Sequence, residues 1–228
     1  MARLPRFDLA DHLHLIVQRA RPDRPPFVDT QDRERYLSIL LDVARSGGVA
    51  VHAYVLLEHE LRLLVTPTQP GAISSAMQSV GRRYVKAFNH RHGRTGALWD
   101  GRYRCTVVEA ATQFFTCVRL IEHAPVRERL VAHPADWPWS SAAHHLGLRG
   151  DALVSEHASY WQLGNTPFER EVHHGRELAV PLSDAEVTQL LNAAARGWPI
   201  GPPAYIDEVA KLAGRPARPR PRGRPRRK

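Results

Sequence analysis

The sequence predicts an α+β protein in which a ferredoxin-like antiparallel sheet carries packed helices. The first observation behind this prediction is the order of segments in residues 1–131, which run as strand, helix, two strands, helix, strand and helix. The second is the short break between the two middle strands, which indicates a hairpin. A hairpin followed by a crossover to a fourth strand is the arrangement of a ferredoxin-like sheet.

Four segments have the pattern of strands. Residues 11–18 alternate and then become apolar, and residues 49–57 and 61–66 are rich in Val, Leu and Tyr. Residues 102–108 form the fourth predicted strand. The break at 58–60 contains no Gly, Pro or Asn, so the hairpin is predicted from its shortness and not from turn residues.

The helices are predicted from apolar faces and from signals at their ends. The first covers 32–45, with Thr30 as its expected N-cap and Ser-Gly-Gly at its end. A long helix covers 73–92, and a third covers 112–124 and is stopped by Pro125. Further helical patterns follow near the C-terminus, one of them opening on the capping-box sequence Ser-Asp-Ala-Glu, at residues 167–178, 183–195 and 205–212.

The chain is predicted to have three regions. These are a ferredoxin-fold domain at 1–131, a helical C-terminal extension at 132–214 and a disordered Arg/Pro tail at 215–228. The sequence has no apolar run of about eighteen residues and no secretory signal. Its two cysteines, Cys105 and Cys117, make neither a disulfide framework nor a zinc site. We therefore expect a cytoplasmic protein without membrane association.

The positive charge is concentrated at the C-terminus. The net charge is +9, and residues 215–228 hold eight basic residues and no acidic one, which leaves 24 basic against 23 acidic residues elsewhere. Such arms commonly bind nucleic acid. The sequence Pro-Arg-Gly-Arg-Pro at 221–225 matches the core of an AT-hook, in which Arg222 and Arg224 would enter a narrow minor groove. The alternative is a generic basic tail that binds phosphates without groove specificity.

A second basic block lies at 82–104, where Asp100 is the one acidic residue. Arginines that meet phosphates, interleaved with rings that stack on bases, are typical of single-strand binding. The alternative is a solvated helix face with core aromatics. The predicted DNA contacts of this block are Arg82, Arg83, Lys86, Arg91, Arg94, Trp99, Arg102, Tyr103 and Arg104.

Several segments resemble one protein family, the REP-associated tyrosine transposases within the HUH single-strand DNA transposases. They are VHAYVLL at 51–57, LLVTP at 63–67, MQSVGRRYVKAFNHRHGRTGALWDGRYR at 77–104, APVRERLV at 124–131, PWSS at 138–141 and GRPRRK at 223–228. The resemblance covers nearly the whole chain. It implies a ferredoxin-like fold that binds hairpins of palindromic repeats and the single strand beside them. It also implies a tyrosine that attacks the scissile phosphate and a divalent metal, such as Mg or Mn, that polarises it.

The resemblance also locates four catalytic positions, and all four are substituted here. The family has His-hydrophobic-His on the strand after the hairpin turn, where this sequence has Glu60 and Arg62. Alternation would place both on one sheet face, but a guanidinium cannot ligate a cation. The nucleophilic tyrosine corresponds to Leu120, which has no nucleophilic atom, and the third metal ligand corresponds to Ala124. We therefore expect no intact catalytic site and no bound metal.

These observations predict a protein that binds single-stranded or hairpin DNA, as a monomer or homodimer, without strand-cleavage chemistry. A decaying transposase without function is a rival hypothesis. One alternative is an active transposase or nuclease with a relocated site that uses Tyr84 or Tyr103 with Glu60. Another is an RNA-binding module, since the same arginines and aromatics would serve RNA.

Histidines offer weaker candidates for a metal site. His12 and His14 form His-hydrophobic-His on a strand, and Glu122 with His123 could join Glu60 as a substitute metal site. The paired histidines at 144–145 and 173–174 are predicted to lie on the surface.

Overall fold

The computed structural model describes residues 6–218 and contains one four-stranded sheet within them. The strands are β1 Leu13–Arg19, β2 Val49–Leu56, β3 Glu60–Pro67 and β4 Arg104–Val108. Their spatial order is β2-β3-β1-β4, and all three neighbouring pairs are antiparallel. This order, with helices between the first and second strands and between the third and fourth, confirms the ferredoxin-like α+β fold.

One face of the sheet is covered by α1 Thr30–Ser46 and α2 Ala72–Arg91. The N-cap of α1 is Asp29 and not Thr30, because the Asp29 carboxylate accepts a hydrogen bond from the Asp32 backbone N–H at 3.0 Å. The helices bury residues at helical spacing against the odd-numbered positions of β3, such as Leu61 and Leu63. This layer is the larger of the hydrophobic clusters.

The second face is covered by α3 Ala110–Glu122 and by segments that follow it. Leu64 of β3 and Leu120 of α3 share this cluster with Leu190 and Ala194 of the later helix α8 Asp184–Arg196. Residues from both sides of position 131 therefore contribute to one core, and the predicted domain division itself stays a prediction.

Helix α3 ends at Glu122, two residues earlier than predicted. Pro125 has no N–H to donate to the Ile121 carbonyl, so the helical bond pattern cannot continue through it, and a short turn follows. The remaining elements are α4 Ala124–Arg127, a 3-10 turn at Pro134–Asp136, α5 Ala142–His145, α6 Ala158–Trp161, α7 Pro167–Leu178, α8 Asp184–Arg196 and α9 Pro203–Leu212.

Two of these C-terminal helices begin with complete capping boxes. Ser183 and Glu186 form the box predicted for α8, and Thr166 with Glu169 forms a second one at the start of α7. In each box the side chain of the cap and the side chain three residues later satisfy each other's backbone N–H groups. Local sequence thus fixes where these helices begin.

Both edge strands of the sheet are paired with backbone from the C-terminal half. On the β2 side, the Ser155 N–H donates to the Val51 carbonyl at 2.7 Å. On the β4 side, the Ile200 N–H donates to the Val107 carbonyl at 2.9 Å, and Glu109 donates back to Ile200 at 2.7 Å. The C-terminal half therefore covers the sheet at its two edges as well as on one face.

The first residues of the predicted tail are packed against the fold. Arg215 lies over the Phe7 ring at 3.9 Å and donates from Nη2 to the Gly197 carbonyl at 2.9 Å, and Ala217 is buried. The prediction of disorder from residue 215 onward is therefore wrong for residues 215–218, while Arg222 and Arg224 lie outside the described residues. None of the helices within residues 6–218 has the length and apolar character that crossing a bilayer requires.

Candidate nucleic-acid interface

The positions that the family resemblance implies to be catalytic lie close together in the structure. Glu60 and Arg62 alternate with Leu61 and project toward α3. Arg62 Nε donates to Glu60 Oε1 at 2.7 Å, and Arg62 Nη1 donates to the Leu120 carbonyl oxygen at 2.8 Å. Ala124 is buried in the same layer. Glu60 and Arg62 therefore lie on one face of the sheet, as alternation along the strand predicts.

This arrangement does not fit a divalent metal. The second carboxylate oxygen of Glu60, Oε2, accepts from Arg19 Nε at 2.7 Å, so both oxygens are bonded to guanidinium groups. Arg62 is 7 % exposed and occupies the space between β3 and α3 with a fixed positive charge. A cation at this point would lie beside the positive charge of Arg62. The carboxylate nearest to it, that of Glu60, is already neutralised by two guanidinium groups.

The relocated site with Tyr84 does not assemble. Tyr84 is buried in the layer of α1 and α2, on the opposite face of the sheet from Glu60, and its hydroxyl donates to the Pro26 carbonyl. Burial raises the pKa of Tyr84, which disfavours the phenolate. Tyr103 is half-buried beneath the Arg6 guanidinium, which lies 3.9 Å from its ring centre. Burial raises the pKa of Tyr103 as well.

The aromatic residues of the basic block belong to the core. Trp99 is 8 % exposed and lies against Phe27 and Tyr36, with ring centres 6.3 and 6.1 Å away. Phe88 is also buried. Trp99 therefore lies in the core and not on the DNA-facing surface that we predicted, because its ring faces have protein neighbours instead of solvent.

The arginines of the block divide into two groups. Arg91 is held by Asp29 at 2.6 Å and Asp32 at 2.6 Å, and it fastens the end of α2 to the start of α1. Arg83 pairs with Asp42 at 3.0 Å on the surface. The exposed residues whose side chains have no ion pair within residues 6–218 are Arg82, Lys86, Arg94 and Arg102.

A basic furrow lies between β4 and the C-terminal end of α8. Its central cleft, of about 180 Å³, is lined by Arg6, Arg102, Arg104 and Arg196. An adjoining cleft shares Arg102 and Arg104 and extends to Arg19, with Asp100 as the one acidic residue in its lining. We call these two clefts together the basic furrow. Sequence reasoning identified Arg102 and Arg104 but missed Arg6, Arg19 and Arg196, which are far apart along the chain.

The basic furrow and the positions that the resemblance implies to be catalytic are at the same level of the sheet. Val17 of β1 is the register partner of Arg62 on β3 and of Arg104 on β4. Directly opposed residues on neighbouring strands share one face of the sheet. Because β1 lies between β3 and β4, the backbones of β3 and β4 are two strand spacings apart, about 10 Å. Arg19, the next residue on that face of β1, links the furrow to Glu60.

The burial and the contacts of several histidines differ from the predictions. His145 and His174 are each 1 % exposed, so the expectation of surface pairs is wrong for them; both contact Glu122. His123 instead contacts the Leu178 carbonyl oxygen, and the proposed combination of Glu60, Glu122 and His123 does not form.

His12 and His14 do not share a ligand position either. His12 Nδ1 lies 2.8 Å from the Ala10 carbonyl oxygen, and His14 Nδ1 lies 2.7 Å from that of His12. Each imidazole is thus bonded to the backbone of its own segment, and His14 is fully buried.

A solved structure shares this architecture. A REP-associated tyrosine transposase bound to a REP hairpin superposes with a TM-score of 0.55 at 20 % identity, over 69 % of this chain and 96 % of that one. The chain has the fold of a REP-associated tyrosine transposase. A putative transposase from Deinococcus radiodurans aligns at 19 % identity, over 57 % of this chain and 94 % of that one, with a TM-score of 0.37. No family model and no curated protein matches the sequence.

Proposed function

We propose that this protein binds single-stranded or hairpin DNA through the basic furrow and does not cleave it. The observation that carries the proposal is the register of Arg62, Val17 and Arg104, which aligns the furrow with the substituted catalytic positions. A strand lying in the furrow would pass the exposed Arg19 side chain and come close to the buried pair of Glu60 and Arg62.

The charges of the furrow are suited to a phosphate backbone. Arg102 and Arg104 have no ion pair within residues 6–218, so their charges are not neutralised by a protein carboxylate. Arg196 is in the last turn of α8, close to the carbonyl end of that helix, and is solvent-exposed. DNA phosphates that bind along such a line of arginines release their counterions, and this release increases the affinity of the protein for DNA.

The exposed face of α2 supplies a second group of cations. Arg82 and Lys86 are one helical turn apart and point to solvent. We assign them to the duplex stem or to a neighbouring strand, and the tail arginines to further phosphates. Hairpin DNA is the inferred ligand because the structurally similar REP-associated transposase is bound to a REP hairpin.

The absence of cleavage follows from the substituted side chains. Leu120 offers no nucleophile, and Arg62 and Glu60 neutralise one another where the resemblance implies a metal. Arg62 cannot activate an attacking group either, because arginine stays protonated.

The test is an incubation of the purified protein with a labelled hairpin oligonucleotide that carries single-stranded flanks, with Mg²⁺ or Mn²⁺ present. A native gel and a denaturing gel are run side by side. We expect a shifted band on the native gel and an intact strand on the denaturing gel. A cleaved strand or a covalent adduct would refute the loss of chemistry.

A competition experiment tests the identity of the nucleic acid. Unlabelled DNA and RNA hairpins of the same sequence are compared as competitors of the labelled DNA hairpin. We expect DNA to compete better. Preferential competition by RNA would replace the DNA proposal with RNA binding, and the absence of any shift would contradict both.

A further inference from the structure

Three ionisable side chains meet in the interior, away from the basic furrow. Glu122 ends α3, His145 ends α5, and His174 lies in α7. His145 Nδ1 is 2.6 Å from Glu122 Oε1, and His174 Nε2 is 2.9 Å from Glu122 Oε2. One potential ligand atom from each residue can be chosen so that all three lie within 4.8 Å of one another.

Among residues 6–218, no arginine or lysine forms an ion pair with Glu122. Glu122 is 0 % exposed, and its bonded partners within residues 6–218 are the two imidazoles and the Ser141 hydroxyl, which donates at 2.6 Å. Two of these three bonded partners, the imidazoles of His145 and His174, are themselves side chains that can be metal ligands.

One imidazole nitrogen of the triad is left over. His174 Nδ1 is buried and has no hydrogen-bond partner. A neutral histidine that donates from Nε2 leaves Nδ1 as an unpaired acceptor, whereas a charged histidine, or one that binds a metal ion through Nε2, leaves an unpaired N–H at Nδ1. The unpaired Nδ1 therefore does not distinguish a proton from a metal ion, and what favours a metal ion is the placement of three buried ligand atoms around one point.

We propose that Glu122, His145 and His174 form a binding site for a divalent transition-metal ion such as Zn²⁺. Two imidazoles and one carboxylate are a ligand set that zinc takes in proteins, and the Ser141 hydroxyl or a water would complete four-coordination. In the metal-bound state the ion replaces the protons shared between Glu122 and the imidazoles. The three ligands need to separate slightly, because each would lie about 2.0–2.2 Å from the ion.

The site is distinct from the substituted catalytic positions on the same helix. Leu120 contacts Arg62 of β3 through its carbonyl, whereas Glu122 contacts α5 and α7. A metal ion here would fasten α5 and α7 to α3 and hence to the sheet. Its role would be structural, and the inference does not depend on DNA binding.

The experiment uses tag-free full-length protein. Because the three side chains are 0–1 % exposed, the protein is unfolded in urea with chelator and refolded with or without one equivalent of Zn²⁺. Unbound metal is removed, and zinc content and melting temperature are measured. Co²⁺ replaces Zn²⁺ in a parallel sample for its visible absorption.

We expect one equivalent of retained zinc, a melting temperature raised relative to the chelated protein, and a Co²⁺ spectrum of tetrahedral type. The variants Glu122→Gln and His174→Gln should lose retention, with zinc affinity reduced by about a hundredfold or more, since they remove ligands directly. The matched control is His173→Gln, because His173 is the exposed neighbour of His174 and contacts the Leu163 carbonyl.

Three results would overturn the proposal. The first is less than a stoichiometric amount of zinc in the refolded wild-type protein. The second is retention in His174→Gln equal to that of wild type. The third is a loss in His173→Gln as large as that in His174→Gln. If Glu122→Gln fails to refold, the wild-type stoichiometry and the comparison of the two histidine variants still decide the matter.

Discussion

Arg62 donates a hydrogen bond from Nη1 to the carbonyl oxygen of Leu120, at 2.8 Å, and so ties β3 to α3 across the second face of the sheet. The same guanidinium pairs with Glu60 through Nε. Two positions that the family resemblance assigns to chemistry are thus bonded to each other as part of the packing. This relationship makes Arg62 a residue that stabilises the fold.

Replacement of Arg62 by alanine is expected to destabilise the fold by about 3 kcal/mol, because it leaves a half-buried Glu60 and an orphaned Leu120 carbonyl. This value is at the low end for a broken buried ion pair, because Glu60 keeps its ion pair with Arg19. Urea unfolding measures the change. The control is Arg19→Ala: Arg19 is 62 % exposed, and its loss should cost less than about 1 kcal/mol. Equal effects of the two variants would contradict this account.

Restoring the tyrosine alone is expected to restore no cleavage. In Leu120→Tyr a nucleophile returns, but Glu60 and Arg62 still neutralise each other where a metal would have to bind. Denaturing gels with a hairpin substrate and Mn²⁺ should therefore show no covalent adduct. An adduct in this single variant would show that Arg62 does not block the chemistry.

Removal of two furrow charges is expected to weaken DNA binding for all sequences alike. For Arg102→Ala with Arg104→Ala, the slope of log K against log salt concentration should fall by about 1.4, since each single-strand phosphate contact contributes about 0.7. Fluorescence anisotropy at several salt concentrations measures it. The matched control removes Arg35 and Arg45, two exposed arginines of α1 on the other side of the sheet. A slope unchanged in the furrow variant would refute the furrow as the DNA path.

The fold could be predicted from the sequence because its signals are local. The helix predicted at 167–178 has those bounds, and the capping box at Ser183 starts α8 where expected. The ends that differ depend on neighbours: Asp29 caps α1 because its carboxylate reaches the Asp32 N–H, and α3 stops early because Pro125 interrupts the bond pattern.

The site could be predicted only where the chain itself brings residues together. The pairing of Glu60 with Arg62 follows from alternation along one strand, and the structure has it. Glu122 meets His145 and His174 across 23 and 52 residues of sequence, so no local pattern could join them. Trp99 shows a different limit: a tryptophan among arginines suits both a stacking platform and a core, and only packing decides between them.

Tyr84→Phe is expected to retain full DNA binding and to cost about 1 kcal/mol of folding stability. The variant removes the hydrogen bond from the hydroxyl to the Pro26 carbonyl, and it leaves that buried acceptor unsatisfied. Urea unfolding and a gel shift measure the two quantities. A variant with wild-type stability and weakened DNA binding would instead identify Tyr84 as a DNA contact.

The stability of the fold is expected to fall as pH decreases from about 6.5 to 4. Burial lowers the pKa of His52 to about 4, and His14 behaves likewise. In this window the unfolded chain binds protons that the folded chain does not, so acid favours unfolding, at full extent by about 3 kcal/mol per histidine. In His52→Gln the loss between pH 7 and 5 should be smaller. The exposed His133→Gln variant is the control and should follow wild type.

The pairing of both sheet edges with C-terminal backbone has a consequence for solubility. An uncovered edge strand is a template on which other chains can add strands, and proteins that expose one tend to aggregate. Here Ser155 and Ile200 occupy donor and acceptor groups at the two ends of the strand order. A fragment that stops at residue 131 would expose the edges of both β2 and β4. It should form oligomers through strand addition even if the hydrophobic residues on the two faces of its sheet remain packed.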